Sequence, residues 1–182
     1  WAIATAGIPA PALLDAIAAE GERRMDAFKT QELSNTAWAF ATATHPAPAL
    51  FAAIARSATA RVGSFRAQEL ANTAWAFATA GIEAPRLFGA IAAEVTARAE
   101  ELNSQELANV AWAFAKRQAE QDDMFGALAR EATARLAQFQ PQGIANLVWA
   151  FATVAPPSTG EFLNAVDAFF EKEPERFSLF KP

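Results

Sequence analysis

The sequence contains no cysteine, no tyrosine and a single histidine, His45, among its 182 residues. The lack of cysteine excludes disulfide bonds and thiolate metal sites, and one histidine is too few for most metal or acid–base sites. Glycine is scarce, whereas alanine, which has the highest helix propensity, is abundant. The net charge of −5 gives no general attraction for a polyanion, so nucleic-acid binding would have to depend on local patches.

Long hydrophobic runs are also missing, although 53% of the residues are hydrophobic. Asn, Thr, Glu or Arg interrupts the apolar stretches every few residues, whereas a membrane-spanning helix needs about 20 mostly apolar residues. We therefore expect no membrane insertion.

The tryptophans recur at a constant interval of 37 residues: Trp1, Trp38, Trp75, Trp112 and Trp149. The sequence around them repeats as well. The matching segments are QELSNTAWAFATA from Gln31, QELANTAWAFATA from Gln68, QELANVAWAFAKR from Gln105 and QGIANLVWAFATV from Gln142. Chance does not place every tryptophan in register inside a shared motif, so the chain is a tandem repeat.

Each repeat predicts two helices. The first begins at a proline or an acid, as at Pro11, Pro48, Pro85 and Asp122. The second has apolar residues at helical spacing, as at Leu33, Ala37 and Phe40. A lone helical hairpin cannot bury its apolar face, so neighbouring repeats must stack. The sequence thus predicts an all-α solenoid of about four full 37-residue hairpins with partial end units.

The start of the second helix varies between repeats. Asn103 followed by Glu106 predicts a capping box, and Pro141 fits a first helical position. Lys29 and Arg66 stand at the cap position of the first two repeats, where we expect weaker caps. The Trp and the Phe two residues later are both interpreted as core between repeats, with base stacking as the functional alternative for Trp.

The predicted solenoid covers residues 1–155 and begins within a second helix at Trp1, so we expect a preceding half-repeat in a longer parent protein. No targeting segment is recognised in this stretch. Residues 156–182 are interpreted as a degenerate capping helix, with an amphipathic segment over 161–171, and a C-terminal tail. A docking peptide is the alternative for the tail.

A proline-led first helix followed by a second helix with the motif QEL(A/S)N(T/V)AWAFA resembles the octotricopeptide repeat family. It is also similar to the helical repeats next to RAP domains in organellar proteins. The resemblance implies binding of single-stranded organellar RNA or rRNA in RNA stability, processing, translation or ribosome assembly. It also implies a chloroplast or mitochondrial location, and some such proteins are structural ribosomal subunits. No RAP domain is recognised.

Two polar ladders stand out because the core does not need them. One consists of the arginines at the end of each first helix: Arg24, Arg61, Arg98 and Arg135. These could follow a phosphate backbone, or they could serve the helix C-terminus and pair with Glu20, Glu94 and Glu131. Ser57 replaces the acid in the second repeat, which would leave Arg61 the least paired.

The other ladder consists of asparagines three residues before each Trp: Asn35, Asn72, Asn109 and Asn146. We interpret it as structural, with buried amides bonded to neighbouring turns, and RNA contact is the alternative. Additional cations are Lys116 and Arg117, which with Arg130 would form a positive spot, and Arg56 at a variable position of a first helix. Most other variable positions are too small to read a base, which argues against a sharp sequence code.

Two functions remain open. One is an RNA-binding module of an organellar gene-expression protein. The other is a protein-binding scaffold or structural subunit of a large organellar complex. We expect no enzymatic activity and no cofactor, because the sequence shows no nucleophile–base pair, metal cluster or phosphate loop.

Overall fold

The computed structural model describes residues 10–119 and 121–173, and the regular structure of this part of the chain is entirely helical. The first helices of the repeats are α1 (Pro11–Arg23), α3 (Pro48–Arg61), α5 (Pro85–Ala97) and α7 (Asp122–Ala134). The second helices are α2 (Thr30–Thr42), α4 (Ala67–Ala80), α6 (Ser104–Lys116) and α8 (Pro141–Val154), and α9 (Thr159–Lys172) follows. The predicted all-α helical-repeat fold is confirmed.

A short 3-10 turn joins the two helices of every repeat: Met25–Ala27, Val62–Ser64, Ala99–Glu101 and Leu136–Gln138. An extended aromatic or leucine residue follows each turn and is buried in three of the four cases, as for Phe65. This residue anchors the turn to the core, so that the second helix returns along the first.

The helix starts follow the sequence signals. Asn103 accepts a hydrogen bond from the Glu106 amide at 3.0 Å, and the Asn103 amide donates to the Glu106 carboxylate at 2.8 Å. This reciprocal pair is the predicted capping box. Pro141 is the first residue of α8, as expected. The side chains of Lys29 and Arg66 accept no hydrogen bond from the first turn of their helices. Their backbone amides donate to the carboxylates of Glu32 and Glu69, so only half of the capping box is present.

The described residues form two compact units that divide between Val95 and Thr96, within the last turn of α5. In the first unit the two second helices, α2 and α4, pack along one another. In the second unit α6 and α8 do the same, and α9 packs on α7. Second helices are therefore the closest neighbours in both units.

The core of each unit is built around the phenylalanines that follow the tryptophans. Phe40, Phe77, Phe114 and Phe151 are at most 3% exposed, which confirms their predicted role. The ring of Phe77 meets Phe51 of α3 edge-on at 5.0 Å, and Phe151 meets Phe125 of α7 in the same way at 5.3 Å. Phe162 of α9 stacks on Phe151 at 4.4 Å and is fully buried.

The interpretation of the tryptophans as core is wrong. Trp38, Trp75 and Trp112 are only partly buried, and Trp149 is 46% exposed. Two residues along an α-helix turn the side chain by about 200°, so Trp and the Phe two positions later cannot face the same core. The phenylalanine occupies the core, and the tryptophan lies at its surface edge.

The predicted helix over 161–171 is present as α9. Trp1, the predicted start within a second helix, and the tail beyond Glu173 lie outside the described residues. None of the helices in the described stretches has the length and apolar character that a membrane span requires.

Candidate nucleic-acid interface

Two of the ladder arginines are held by the preceding repeat. Nη1 of Arg61 donates to the carbonyl oxygen of Phe28 at 2.7 Å, and its Nη2 bonds the Ser57 hydroxyl. Nη1 of Arg135 donates to the carbonyl oxygen of Leu102 at 2.8 Å, and its Nη2 bonds Glu131 at 2.9 Å. Each guanidinium group ties the end of a first helix to the residue that follows the earlier turn.

The expectation that Arg61 is the least paired of the ladder is therefore wrong, because Ser57 takes the place of the missing acid and Phe28 supplies a carbonyl. The other two arginines have acidic neighbours: Arg24 lies 3.9 Å from Glu20, and Arg98 lies 3.7 Å from Glu101. The Arg24 side chain is 66% exposed. Phosphate contact by this ladder remains a prediction.

Three other cations on the first helices, Arg56, Arg86 and Arg130, have no ion pair within the described residues, whereas Arg23 pairs with Glu20. Arg56 of α3 and Arg86 of α5 are exposed and line a groove of about 470 Å³. Arg56 also borders a groove of about 490 Å³ that contains the acids Glu22 and Asp26. Arg130 of α7 lines a third groove, of about 420 Å³, with Glu161. The charges of two of the three grooves are thus mixed.

The asparagine ladder is not buried, which corrects the structural interpretation. Asn35 is exposed, whereas Asn72, Asn109 and Asn146 are half-buried. Asn146 accepts a hydrogen bond from Gln142 at 3.0 Å within the same helix. Across residues 10–119 and 121–173, the side chains of the other three form no hydrogen bond. The ladder does not reach neighbouring turns because its residues lie on the Trp side of the helix.

Gln, Asn and Trp share one face of every second helix. They occupy positions i, i+4 and i+7, and at about 100° per residue this spacing keeps them within a narrow stripe. The residue at i+11 is Thr, or Lys in the third repeat. We call these stripes the amide–indole rows: Gln31–Asn35–Trp38–Thr42, Gln68–Asn72–Trp75–Thr79, Gln105–Asn109–Trp112–Lys116 and Gln142–Asn146–Trp149–Thr153.

No side chain of the rows is fully buried, and all four glutamines are exposed. In the first unit two rows lie side by side, since the rings of Trp38 and Trp75 stack at 6.2 Å with an angle of 29° between their planes. In the second unit the Lys116 ammonium lies 4.9 Å from the ring centre of Trp112. The rows therefore offer solvent neutral amides, indole rings and one cation.

The Asn and Trp ladders were predicted separately from the sequence, and the glutamines were not included. The constant spacing Q-x-x-x-N-x-x-W in the repeated motif is the signal that places all three residues on one helix face. Of the remaining predicted cations, Lys116 belongs to a row, and Arg117 is the half-buried C-cap of α6. Arg130 lies on the first helix α7.

The His45 side chain contacts Asp15 and Phe40, and the sequence did not indicate the Asp15 contact. Its Nε2 lies 2.8 Å from the Asp15 carboxylate, and its ring meets Phe40 edge-on at 5.9 Å. The positions equivalent to Asp15 in later repeats hold Ala52, Gly89 and Gly126. This pair therefore belongs to one repeat and does not form part of the periodic surface.

Residues 2–159 match the family described as RNA-editing substrate-binding complex 6 protein, and because the match spans most of the chain, the protein belongs to that family. The match does not extend to the octotricopeptide family that the repeat motif resembles. A comparison with curated proteins finds no match.

Proposed function

We propose that this member of the RNA-editing substrate-binding complex 6 protein family is a single-stranded RNA-binding component of such a complex. The observation that supports this proposal best is the set of amide–indole rows, which repeat in every second helix and remain open to solvent. We further propose that the protein acts by binding rather than catalysis, in the RNA metabolism of a mitochondrion or chloroplast. The narrower relationship to octotricopeptide proteins belongs to the same proposal.

The chemistry of the rows suits single-stranded RNA. Unpaired bases expose their faces, which stack on aromatic side chains, and their edges, which bond to amides. The indoles of Trp38 and Trp149 and the amides beside them offer both contacts. Lys116 adds a positive charge next to Trp112, at a place where a phosphate could sit beside a stacked base.

RNA affinity can be measured by fluorescence anisotropy with a labelled pool of single-stranded oligonucleotides. Base–aromatic stacking is worth about 1–3 kcal/mol, so we expect Trp149→Ala to weaken binding by about 5-fold to 150-fold. Leu13→Ala is the matched control, because Leu13 is 47% exposed and lies on the first helix α1, which carries no row. Equal losses in the two variants, or no RNA binding by the unaltered chain at low salt, would overturn the proposal.

A second candidate is a protein-binding scaffold, and the two mixed-charge grooves favour it. A groove that carries Arg56 together with Glu22 and Asp26 is better suited to a protein surface than to a polyanion. Charge reversal by Arg56→Glu should then reduce assembly with partner subunits and leave RNA affinity unchanged. If Arg56→Glu instead weakens RNA binding as much as Trp149→Ala does, the groove belongs to the RNA path.

A further inference from the structure

The four amide–indole rows are chemically identical at their first three positions. Every row presents Gln, Asn and Trp in the same order and spacing, and none of these side chains is fully buried. Core packing explains why the buried Phe recurs, but it does not require the same polar residues on a solvent-facing stripe. Each repeat therefore offers a ligand the same donors, acceptors and ring.

The exposed face of the first helices behaves differently. One equivalent position holds Ala12, Ala49, Arg86 and Asp123, all of them exposed. A modular RNA reader distinguishes bases by changing two or three side chains from repeat to repeat. The Gln, Asn and Trp of the rows do not change, so a strand lying across the two neighbouring rows of one unit meets the same three side chains at both repeats.

We infer that the rows select a homopolymeric tract of single-stranded RNA, and that the preferred base is adenine. This inference rests on the proposed RNA-binding function and deepens it. A carboxamide can donate to a ring nitrogen of adenine and accept from its N6 amino group in a two-bonded pair. The indole beside the amide takes the face of the base, and a purine gives it a larger area than a pyrimidine.

The state of the amides fits this role. The side-chain amides of Asn35, Asn72 and Asn109 make no hydrogen bond within the described residues, so their donors and acceptors are open to a base. In the fourth row, Gln142 donates to Asn146 at 3.0 Å. That bond leaves the Asn146 amino group as a donor and the Gln142 carbonyl oxygen as an acceptor, with no other hydrogen bond within the described residues.

The test compares affinities of the whole chain for oligo(A), oligo(U), oligo(C) and a mixed sequence. Oligonucleotides of about 12 nucleotides fall within the usual site size of single-strand binders. All measurements use one salt concentration, because phosphate contacts depend on salt. We expect oligo(A) to bind about tenfold more tightly than oligo(U) or oligo(C), with the mixed sequence between them.

The double variant Asn72→Asp, Asn109→Asp tests the role of the amides. Aspartate keeps the shape of the side chain but only accepts hydrogen bonds, and it pairs with the amino group of cytosine. The added charge weakens binding to all RNA, so the readout is the ratio of oligo(A) to oligo(C) affinity, which we expect to fall by about tenfold. Arg86→Ala, on a first helix, should leave this ratio unchanged.

The outcomes separate the two proposals. Equal affinity for all four oligonucleotides, a preference for another base, or an unchanged ratio in the double variant would overturn adenine selection and leave RNA binding intact. No binding to any oligonucleotide would overturn the proposed function, and the inference with it.

Discussion

The guanidinium group of Arg61 donates to the carbonyl oxygen of Phe28, 33 residues earlier in the chain, at 2.7 Å. Arg135 makes the same bond to Leu102 across the same separation. Because the residue that follows a 3-10 turn has no helical partner for its carbonyl, an arginine from the next repeat satisfies it. A side chain that sequence analysis linked to RNA thus also fixes the register between neighbouring repeats.

Removal of this bond should destabilise the protein. A charged hydrogen bond to a half-buried carbonyl is worth about 1–3 kcal/mol, so Arg61→Ala and Arg135→Ala should each lower the free energy of unfolding by an amount in this range. Urea denaturation followed by circular dichroism measures the change. Arg86→Ala is the control, since an exposed and unpaired arginine should alter stability by less than about 0.5 kcal/mol. Equal stability of all three variants would contradict the assignment.

The two aromatic residues of each second helix should differ sharply in their contribution to stability. Phe151 is fully buried between Phe125 and Phe162, so Phe151→Ala should cost about 3–5 kcal/mol through the cavity that it leaves. Trp149→Ala removes a half-exposed ring and should cost only about 1 kcal/mol. Thermal unfolding of the two variants tests the difference. If Trp149→Ala proved the more destabilising, the placement of Trp at the surface edge would be wrong.

The capping box of α6 gives a further measurable contrast. Asn103→Ala removes the side-chain acceptor of the Glu106 amide and should cost about 1 kcal/mol. Lys29→Ala changes the equivalent position of α2, where the side chain accepts no cap bond, and should have little effect. Hydrogen exchange of the first-turn amides of both helices reports the loss locally. A larger increase in exchange in α2 on Lys29→Ala than in α6 on Asn103→Ala would contradict the expectation.

Lys116 should control part of the salt dependence of RNA binding. Each phosphate contact adds about −0.7 to the slope of log affinity against log salt for a single strand. Lys116 is the sole cation of the rows, so the slope for the unaltered chain should be shallow. Lys116→Ala should reduce its magnitude by about 0.7, which is the contribution of one phosphate contact. An unchanged slope in Lys116→Ala would place the phosphates elsewhere. Steeper dependence that disappears in Arg24→Ala would favour the arginine ladder.

Much of the fold could be predicted because the repeat makes local signals recur. Pro11, Pro48 and Pro85 are each the first residue of a helix. Asn103 and Glu106 cap α6 by contacts between residues three positions apart. Such features depend on neighbours in the chain, and their physical cause is visible in the sequence itself. The burial of the repeated phenylalanines could also be predicted, because their helical spacing from other apolar residues is visible in the sequence.

The functional surface could be predicted only in part. The ladders of Arg, Asn and Trp were visible as periodic residues, but periodicity does not tell which face of a helix meets solvent. The sequence placed Trp in the core and Asn in buried hydrogen bonds, and the structure places both on an open stripe with Gln. The structure also gives Arg61 and Arg135 carbonyl partners in the preceding repeat, which no local sequence pattern indicates.

The sequence by itself determined the repeat length, the helical class, the helix boundaries and the residues that recur. Tertiary structure alone decided which recurring residues are buried and which remain available to a ligand. The physical reason is that burial depends on how α2 packs on α4 and α6 on α8, and these contacts join residues about one repeat apart. Asn72 and Arg61 both recur every 37 residues. Packing gives Arg61 a hydrogen bond to the Phe28 carbonyl and leaves the Asn72 amide without one within the described residues.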